Sequence, residues 1–304
     1  MNKGNNTYST KAVQLDASVS KWQDFKTLVK FRLNITVVLS SVLAYIIVAQ
    51  GSLNIVNLLL LTVGGFLVTG AANALNQVLE KEYDSLMKRT QNRPLPMGRM
   101  TISEAVLYAG MMALFGITLL AFFNPLTAFL GTFALVSYAF VYTPFKRFSP
   151  IAVWIGAIPG ALPVLIGTTA FQGEITGLAL ILFAVQFFWQ LPHFWAIGWM
   201  SYDDYKLAGY KLLPVKDQVR DSRIGLSSFI WTLPLIVICS IPFITGQIGI
   251  ISLILITLLN IWYASKGWSL YKSGQTASAK KLMYASFAYL PIVLILFIIG
   301  SNGI

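Results

Sequence analysis

Apolar residues fill most of the chain in long unbroken runs, and short polar stretches punctuate them. A run of about 20 apolar residues is long enough to cross a bilayer as a helix. The placement of the runs predicts nine spans: Leu33–Gln50, Ile55–Leu75, Ile102–Phe123, Leu126–Tyr142, Ile151–Ala170, Thr176–Gly198, Leu226–Thr245, Ile248–Ser265 and Leu282–Ile299. Asn124-Pro125 divides one long apolar stretch into the third and fourth spans, and Gly246-Gln247 divides another into the seventh and eighth. The runs are continuous rather than alternating, which excludes a β-barrel. The fold expected is all-α, a polytopic bundle of nine transmembrane helices. Ahead of the first span, Val19, Trp22, Phe25 and Leu28 recur at helical spacing, with Lys21, Lys26 and Lys30 between them. That pattern predicts a short helix lying on the membrane surface. Residues 1–17 are polar and read as a disordered tail without a cleavable signal peptide, which leaves 18–304 as one membrane domain.

Composition agrees: 56% of residues are hydrophobic and 11% charged, where a soluble chain carries roughly 25% charged residues. The net charge of +11 follows a simple rule. Six Lys/Arg precede the first span, five follow the second, two the fourth, five the sixth and four the eighth, which accounts for all 22. The other face has none. By the positive-inside rule these segments and the N-terminus are cytoplasmic and the C-terminus is external. The basic excess is then a collar set by topology, and nucleic-acid binding is not needed to explain it. The single cysteine, Cys239, lies within an apolar run, so no intrachain disulfide and no Cys/His metal cluster is expected. Ten of the eleven acids also fall on the basic side, Glu174 being the exception. Acids contribute little to orientation, so their presence there calls for a chemical reason.

Asn76, Glu80 and Asp84 repeat every four residues in NQVLEKEYDSLMKRTQNRPLP, which continues the second span. On a helix that spacing brings all three to nearly one face. Carboxylates this close to hydrocarbon are costly unless a cation neutralises them. Oxygen-only donors of this kind suit Mg²⁺, which commonly bridges carboxylates to substrate phosphates. Lys88, Arg89 and Arg93 follow at once and are suited to phosphate oxygens. Pro94 and Pro96 are expected to end the helix, and Thr101 with Glu104 to cap the third span. A second acidic stretch leaves the sixth span: Asp203 and Asp204, followed by Lys206 and Lys211. Facing each other across a bundle, the two clusters would hold Mg²⁺ and a diphosphate, with an oily tail between the spans. The only histidine, His193, lies near the end of the same span. It either donates to a neighbouring carbonyl or contacts a second substrate bearing carboxylates or a metal.

The residues that carry both clusters resemble UbiA-type intramembrane prenyltransferases, and within them the haem-farnesylating branch. The resemblance rests on LMKRTQNRPLP (86–96), YTPFKR (142–147), GAIPGALPVLIG (156–167), WQLPHFWAI (189–197) and DYKLAGYKLLPV (204–215). The chain departs from that pattern at Glu80, where the family has Asp, at Phe31, where it has Pro, and at Ala152, where it has Asn. The resemblance implies a UbiA-like nine-helix bundle. Its reaction would transfer farnesyl from farnesyl diphosphate to a vinyl group of haem b, in haem O synthesis. It further implies catalytic roles for Asn76, Glu80, Asp84 and Asp204, and Mg²⁺ held by these four with Asp203. Lys146, Arg147 and Lys206 would join Lys88, Arg89 and Arg93 on the diphosphate, and His193 would stand on the haem side. The implied partners are farnesyl diphosphate, haem b, membrane lipid and haem A synthase or oxidase assembly factors. Rival readings are a prenyltransferase acting on a quinone-precursor ring, and a transporter. A transporter would place ionisable residues near the midplane of broken helices, whereas here they gather at one end.

Overall fold

A computed structural model describes residues 19–216 and 219–301; the tail expected over 1–17 lies outside them. Among the described residues nine helices are long and apolar enough to span a membrane. They are α2 (Phe31–Ala49), α3 (Ile55–Leu86), α4 (Ile102–Ala121), a composite helix over Pro125–Phe145, α7 (Ala152–Gln172), α8 (Gly177–Met200), α10 (Arg223–Ile244), α11 (Ile250–Ser273) and α12 (Thr276–Gly300). The composite helix is α5 (Pro125–Val136), a π-helical turn over Ser137–Tyr142 and a last turn α6 (Thr143–Phe145). Short helices α1 (Lys21–Leu28) and α9 (Tyr202–Leu207) complete the set. The described extended structure is a hairpin of β1 (Val215–Lys216) and β2 (Val219–Arg220) and an isolated bridge between Ile248 and Ser301.

The predicted breaks fall where the sequence placed them. Asn124 caps α5, with Pro125 at the first helical position, and Gly246 takes a positive φ after α10 ends. Thr101 and Glu104 form the expected capping box. The expected stop at Pro94 is wrong: α3 ends at Leu86, and residues 87–100 form a chain of turns. The last turn of α3 gives way because Thr90 Oγ1 takes the Asp84 carbonyl at 2.9 Å, diverting the backbone before the prolines are reached. The expected helix is present as α1, capped by Ser20, and it is clamped to the rest of the protein. Asp24 is buried and receives Arg99 through Nε and Nη2, the latter at 2.8 Å, while Trp22 stays exposed.

The spanning helices form a closed ring in which α7 links α5 to α8. α7 packs on α2, α5 and α8, and α12 closes the ring onto α2. The polarity pattern is that of a membrane interior. Large apolar side chains such as Leu59, Leu107, Phe129, Val237 and Leu258 face outward, while Asn34, Gln77, Gln186, Gln190 and Asn260 are buried. The buried amides tie helices together: Asn34 donates to the Phe66 carbonyl at 2.9 Å, and Gln186 and Gln190 donate to the Gly160 and Ala157 carbonyls, both at 2.8 Å. Lipid offers no hydrophobic drive for helix association, so such bonds and close backbone contacts carry it. One such close contact involves Gly225: a Cβ there would lie 2.2 Å from the Tyr271 backbone nitrogen.

This geometry predicts that Gly225→Val separates α10 from α11 and lowers the melting temperature of detergent-purified protein, at a cost of about 1–3 kcal/mol. Gly110→Val, on a face with nothing within 4 Å, serves as the control and should melt like wild type. Equal melting of both variants would refute the contact.

Candidate active site

The first acidic cluster sits on the last three turns of α3, beyond the apolar run that anchors it. Asn76, Glu80 and Asp84 are all buried and share one face, as four-residue spacing requires. Around that face gather Lys30 from the α1–α2 corner, Lys146 from the end of α6, and Arg89 and Arg93 from the turns after α3. Together with Tyr205 and Tyr210 they line a cleft of about 180 Å³.

Each acidic-cluster side chain meets a base. Lys30 Nζ donates to Asn76 Oδ1 at 2.7 Å, Lys146 Nζ to Glu80 Oε1 at 2.9 Å, and Arg93 Nη1 to Asp84 Oδ2 at 2.7 Å. Asn76 Nδ2 in turn donates to Thr143 Oγ1 at 3.0 Å, and Thr143 Oγ1 to the Tyr138 carbonyl at 2.9 Å. That last carbonyl is five residues back, within the wide π-helical turn. A π turn rotates the residues beyond it, and such turns recur at functional sites. Here it brings Tyr138, Thr143 and Lys146 to the cleft side of the composite helix.

Lys30 occupies a left-handed conformation, φ 48°, at the break between α1 and α2. The kink turns its ammonium inward to Asn76 rather than outward like that of the exposed Lys21. Burial, reinforced by the positive charges of Arg93 and Lys146, holds its pKa well below the ordinary lysine value. Lys146 goes the other way: burial works against its charge, but the Glu80 carboxylate beside it wins and raises the pKa. Four basic side chains thus share this cleft with two carboxyl groups. Asp84 Oδ1 is buried with no hydrogen-bond partner, an arrangement that is costly in a low-dielectric site unless another cation or donor takes it.

The second acidic stretch does reach the first. Asp204 Oδ2 accepts from the Arg89 backbone N–H at 3.2 Å, and Arg89 Nη2 donates to the Tyr205 hydroxyl at 3.2 Å. The loop is further held by Lys211 N–H to the Lys146 carbonyl at 2.7 Å. The remaining expected residues are placed elsewhere. Asp203 points outward, 81% exposed, and pairs with Arg220. Lys88 is exposed and does not line the cleft. Arg147 stacks over Tyr83 and donates to its hydroxyl. Lys206 lines a neighbouring cavity instead. His193 is buried between α8 and α12, with Nδ1 2.7 Å from Ser286 Oγ and its ring stacked on Trp189. Ala152 is fully buried.

Sequence reading missed Lys30, Tyr205 and Tyr210 as cleft residues. Lys30 read as one of three lysines on a solvent face, and only the backbone break reverses its direction. A second, apolar cavity of about 110 Å³ lies between α2, α3, α5 and α7 and shares Leu33 with the cleft. Val37, Val68, Ala72, Leu135, Pro163 and Ile166 are among its walls.

The profile of the UbiA prenyltransferase family matches residues 37–290. The protoheme IX farnesyltransferase of Cytophaga hutchinsonii is 42% identical over 283 residues, covering 93% of this chain and 99% of that protein. That of Christiangramia forsetii is 40% identical over 288 residues, covering 93% and 95%. Among solved structures, a digeranylgeranylglyceryl phosphate synthase superposes with a TM-score of 0.77 at 22% identity, covering 93% of this chain and 99% of that one. A UbiA homologue from Archaeoglobus fulgidus, bound to GPP and Mg²⁺, superposes with a TM-score of 0.69 at 15% identity, covering 90% and 99%.

The pairing of Lys146 with Glu80 yields a test independent of catalysis. Lys146→Met should destabilise the protein by about 3–5 kcal/mol, because it leaves Glu80 buried and unpaired. Glu80→Leu combined with Lys146→Met should recover most of that loss. Thermal unfolding in detergent reads both, and a double variant no more stable than the single one would rule out the charge coupling.

Proposed function

The chain belongs to the UbiA prenyltransferase family, and we propose that it transfers a farnesyl group from farnesyl diphosphate to a vinyl group of haem b, giving haem O and diphosphate. One observation carries this: a cleft with four basic side chains and two carboxyl groups adjoins an apolar cavity that begins at the shared Leu33. A prenyl diphosphate has the matching form, a strongly anionic head on an apolar chain. The choice of haem as acceptor is supported by the names of the relatives, and by the motifs over 189–197 and 204–215.

Diphosphate arriving in the cleft competes with Glu80 for Lys146 and with Asp84 for Arg93. Its charge also favours the protonated form of Lys30, which burial otherwise opposes. The carboxylate oxygens so released, with the already unpartnered Asp84 Oδ1, fit Mg²⁺. Among the described residues no ready-made cage of three or more acidic, histidine or cysteine side chains exists, and Mg²⁺ needs none, since it is commonly held by one or two carboxylates plus substrate phosphates. Glu80 and Asp84 would hold it, with Asp204 and Asn76 at the edge of the set, and it would supply charge neutralisation on the leaving diphosphate.

The allylic C–O bond breaks and its electron pair leaves with diphosphate. Lys30, Arg89, Arg93 and Lys146 stabilise the charge that develops on those oxygens, in a site already oriented for it. The allylic carbon, kept from bulk water by the apolar walls, accepts the π pair of the porphyrin vinyl group and a C–C bond forms. The cation left on the vinyl carbon next to the ring takes water and loses a proton, giving the hydroxyl. Farnesyl diphosphate, haem b and water thus become haem O and diphosphate.

The distribution of Lys and Arg supports an orientation in which the cleft and the N-terminus are cytoplasmic and Ile304 is external. Reporter fusions after Gly51, Gln172 and Ile304 should then read external, and those after Arg93 and Lys216 cytoplasmic. An external signal at Arg93 would reverse the assignment.

Asp84→Asn keeps the size of the side chain but removes one charge. It should abolish haem O formation in membranes that still contain normal amounts of protein, while Glu80→Asp should lose far less. Mass analysis of extracted haem after supply of haem b and farnesyl diphosphate reads the product. Full Mg²⁺-dependent turnover by Asp84→Asn would remove the metal assignment, and absence of a farnesylated haem from wild type would remove the acceptor.

A further inference from the structure

Beside the cleft lies a larger cavity, about 480 Å³, that the reaction as described leaves unused. It is built by the segment that leaves α8 and folds back over Gly198 and Pro150. Its volume falls within the roughly 300–1,000 Å³ of small-molecule sites. Three tyrosine rings, Tyr202, Tyr205 and Tyr210, stand with Leu212 and Leu213 along its walls. Two ammonium groups, those of the exposed Lys206 and Lys211, also line it. Neither makes an ion pair with an acid among the described residues. Tyr205 and Tyr210 also line the diphosphate cleft, so the two spaces abut across those two rings.

We propose that this cavity is the acceptor site, in which Lys206 and Lys211 receive the two propionates of haem b and the tyrosines and leucines flank the macrocycle. This rests on the haem farnesyl-transfer reading above. The chemistry of the cavity matches a flat aromatic dicarboxylate: apolar and aromatic walls for the ring, and two lysines without an acid partner among the described residues for two carboxylates on one edge. Protohaem carries its vinyl groups on the side away from its propionates. With the propionates at the lysines, the vinyl side is turned to the Tyr205–Tyr210 wall and hence to the cleft. The placement also accounts for Lys206, which follows the acidic pair in sequence yet does not reach the diphosphate cleft. It gives the second acidic stretch a divided role. Asp204 ties the segment to Arg89 on the cleft side, and the lysines face the other cavity.

The test uses the full-length protein in phosphatidylcholine nanodiscs and zinc protoporphyrin IX, a fluorescent dicarboxylate porphyrin. Both lysines are exposed, so Lys206→Glu with Lys211→Glu leaves the fold intact; melting temperature verifies this. Like charges placed opposite a ligand's own cost several kcal/mol, so the double variant should bind the porphyrin roughly tenfold more weakly or worse. KM for haem b should rise in parallel, and KM for farnesyl diphosphate should stay within about twofold, since neither lysine lines that cleft. Zinc protoporphyrin dimethyl ester, which lacks the carboxylate charges, should bind wild type and variant alike. Unchanged porphyrin affinity in the variant, or an equal loss with the dimethyl ester, overturns the site. So does a porphyrin effect that arises only when phosphatidylglycerol is added, which would mark the lysines as lipid contacts. These outcomes are separable from failure of the haem reading itself, in which wild type neither binds porphyrin nor yields a farnesylated haem.

Discussion

A carboxylate buried at the edge of a bilayer must be neutralised, and much of this molecule is arranged around that requirement. Glu80 and Asp84 project from α3 where it leaves the apolar layer. Lys146 comes to Glu80 from a different helix, and Arg93 to Asp84 from the turns that follow α3. Desolvation of such groups costs several kcal/mol per ion, and pairing returns it only where geometry is good. The pairs therefore constrain the α3 terminus and the π-distorted end of the composite helix, and Lys30 on Asn76 adds the α1–α2 corner. In the empty cleft burial weakens the charge of Lys30, and an anion that joins the arrangement favours its charged form.

The constraint explains why functional groups and stability are hard to separate here. Lys146 neutralises Glu80 and stands ready for phosphate; Arg93 does the same beside Asp84. An empty cleft keeps each carboxylate satisfied by a base. A filled one exchanges partners without exposing a bare charge. The residue that cannot be satisfied this way, Asp84 through Oδ1, is the one with a free oxygen to offer.

The sequence reveals much of this, for physical reasons that differ by element. Spans are legible because hydrocarbon thickness sets a length, and the breaks at Asn124-Pro125 and Gly246 because those residues have strong local preferences. The face shared by Asn76, Glu80 and Asp84 follows from helical spacing alone. What spacing cannot show is a backbone reversal or a long-range choice of partner. Lys30 turns inward through a positive φ that nothing in a lysine announces. Tyr205, on α9, and Tyr210, just after it, belong to a segment whose return path is set by one backbone bond to Lys146 and by Asp204. Asp203, adjacent to Asp204, faces the opposite way with Arg220, so an acidic pair read as one unit divides into two. The end of α3 at Leu86 was likewise hidden, because a threonine side chain rather than a proline redirects the chain.

The connections at the end away from the cleft are short: residues 50–54, 122–124, 173–176 and 245–249 join α2 to α3, α4 to α5, α7 to α8 and α10 to α11. None contains Lys or Arg. Carrying one such cation to the middle of a bilayer costs about 2.5–3.5 kcal/mol on insertion scales. The chain is thus laid out as four helical hairpins whose tips can traverse lipid without taking a positive charge with them, followed by α12. Assembly can proceed hairpin by hairpin as synthesis delivers each pair. The charged end, which cannot be threaded cheaply, is also the chemical end of the molecule. Biogenesis and catalysis are in that sense divided between the two ends of the same helices.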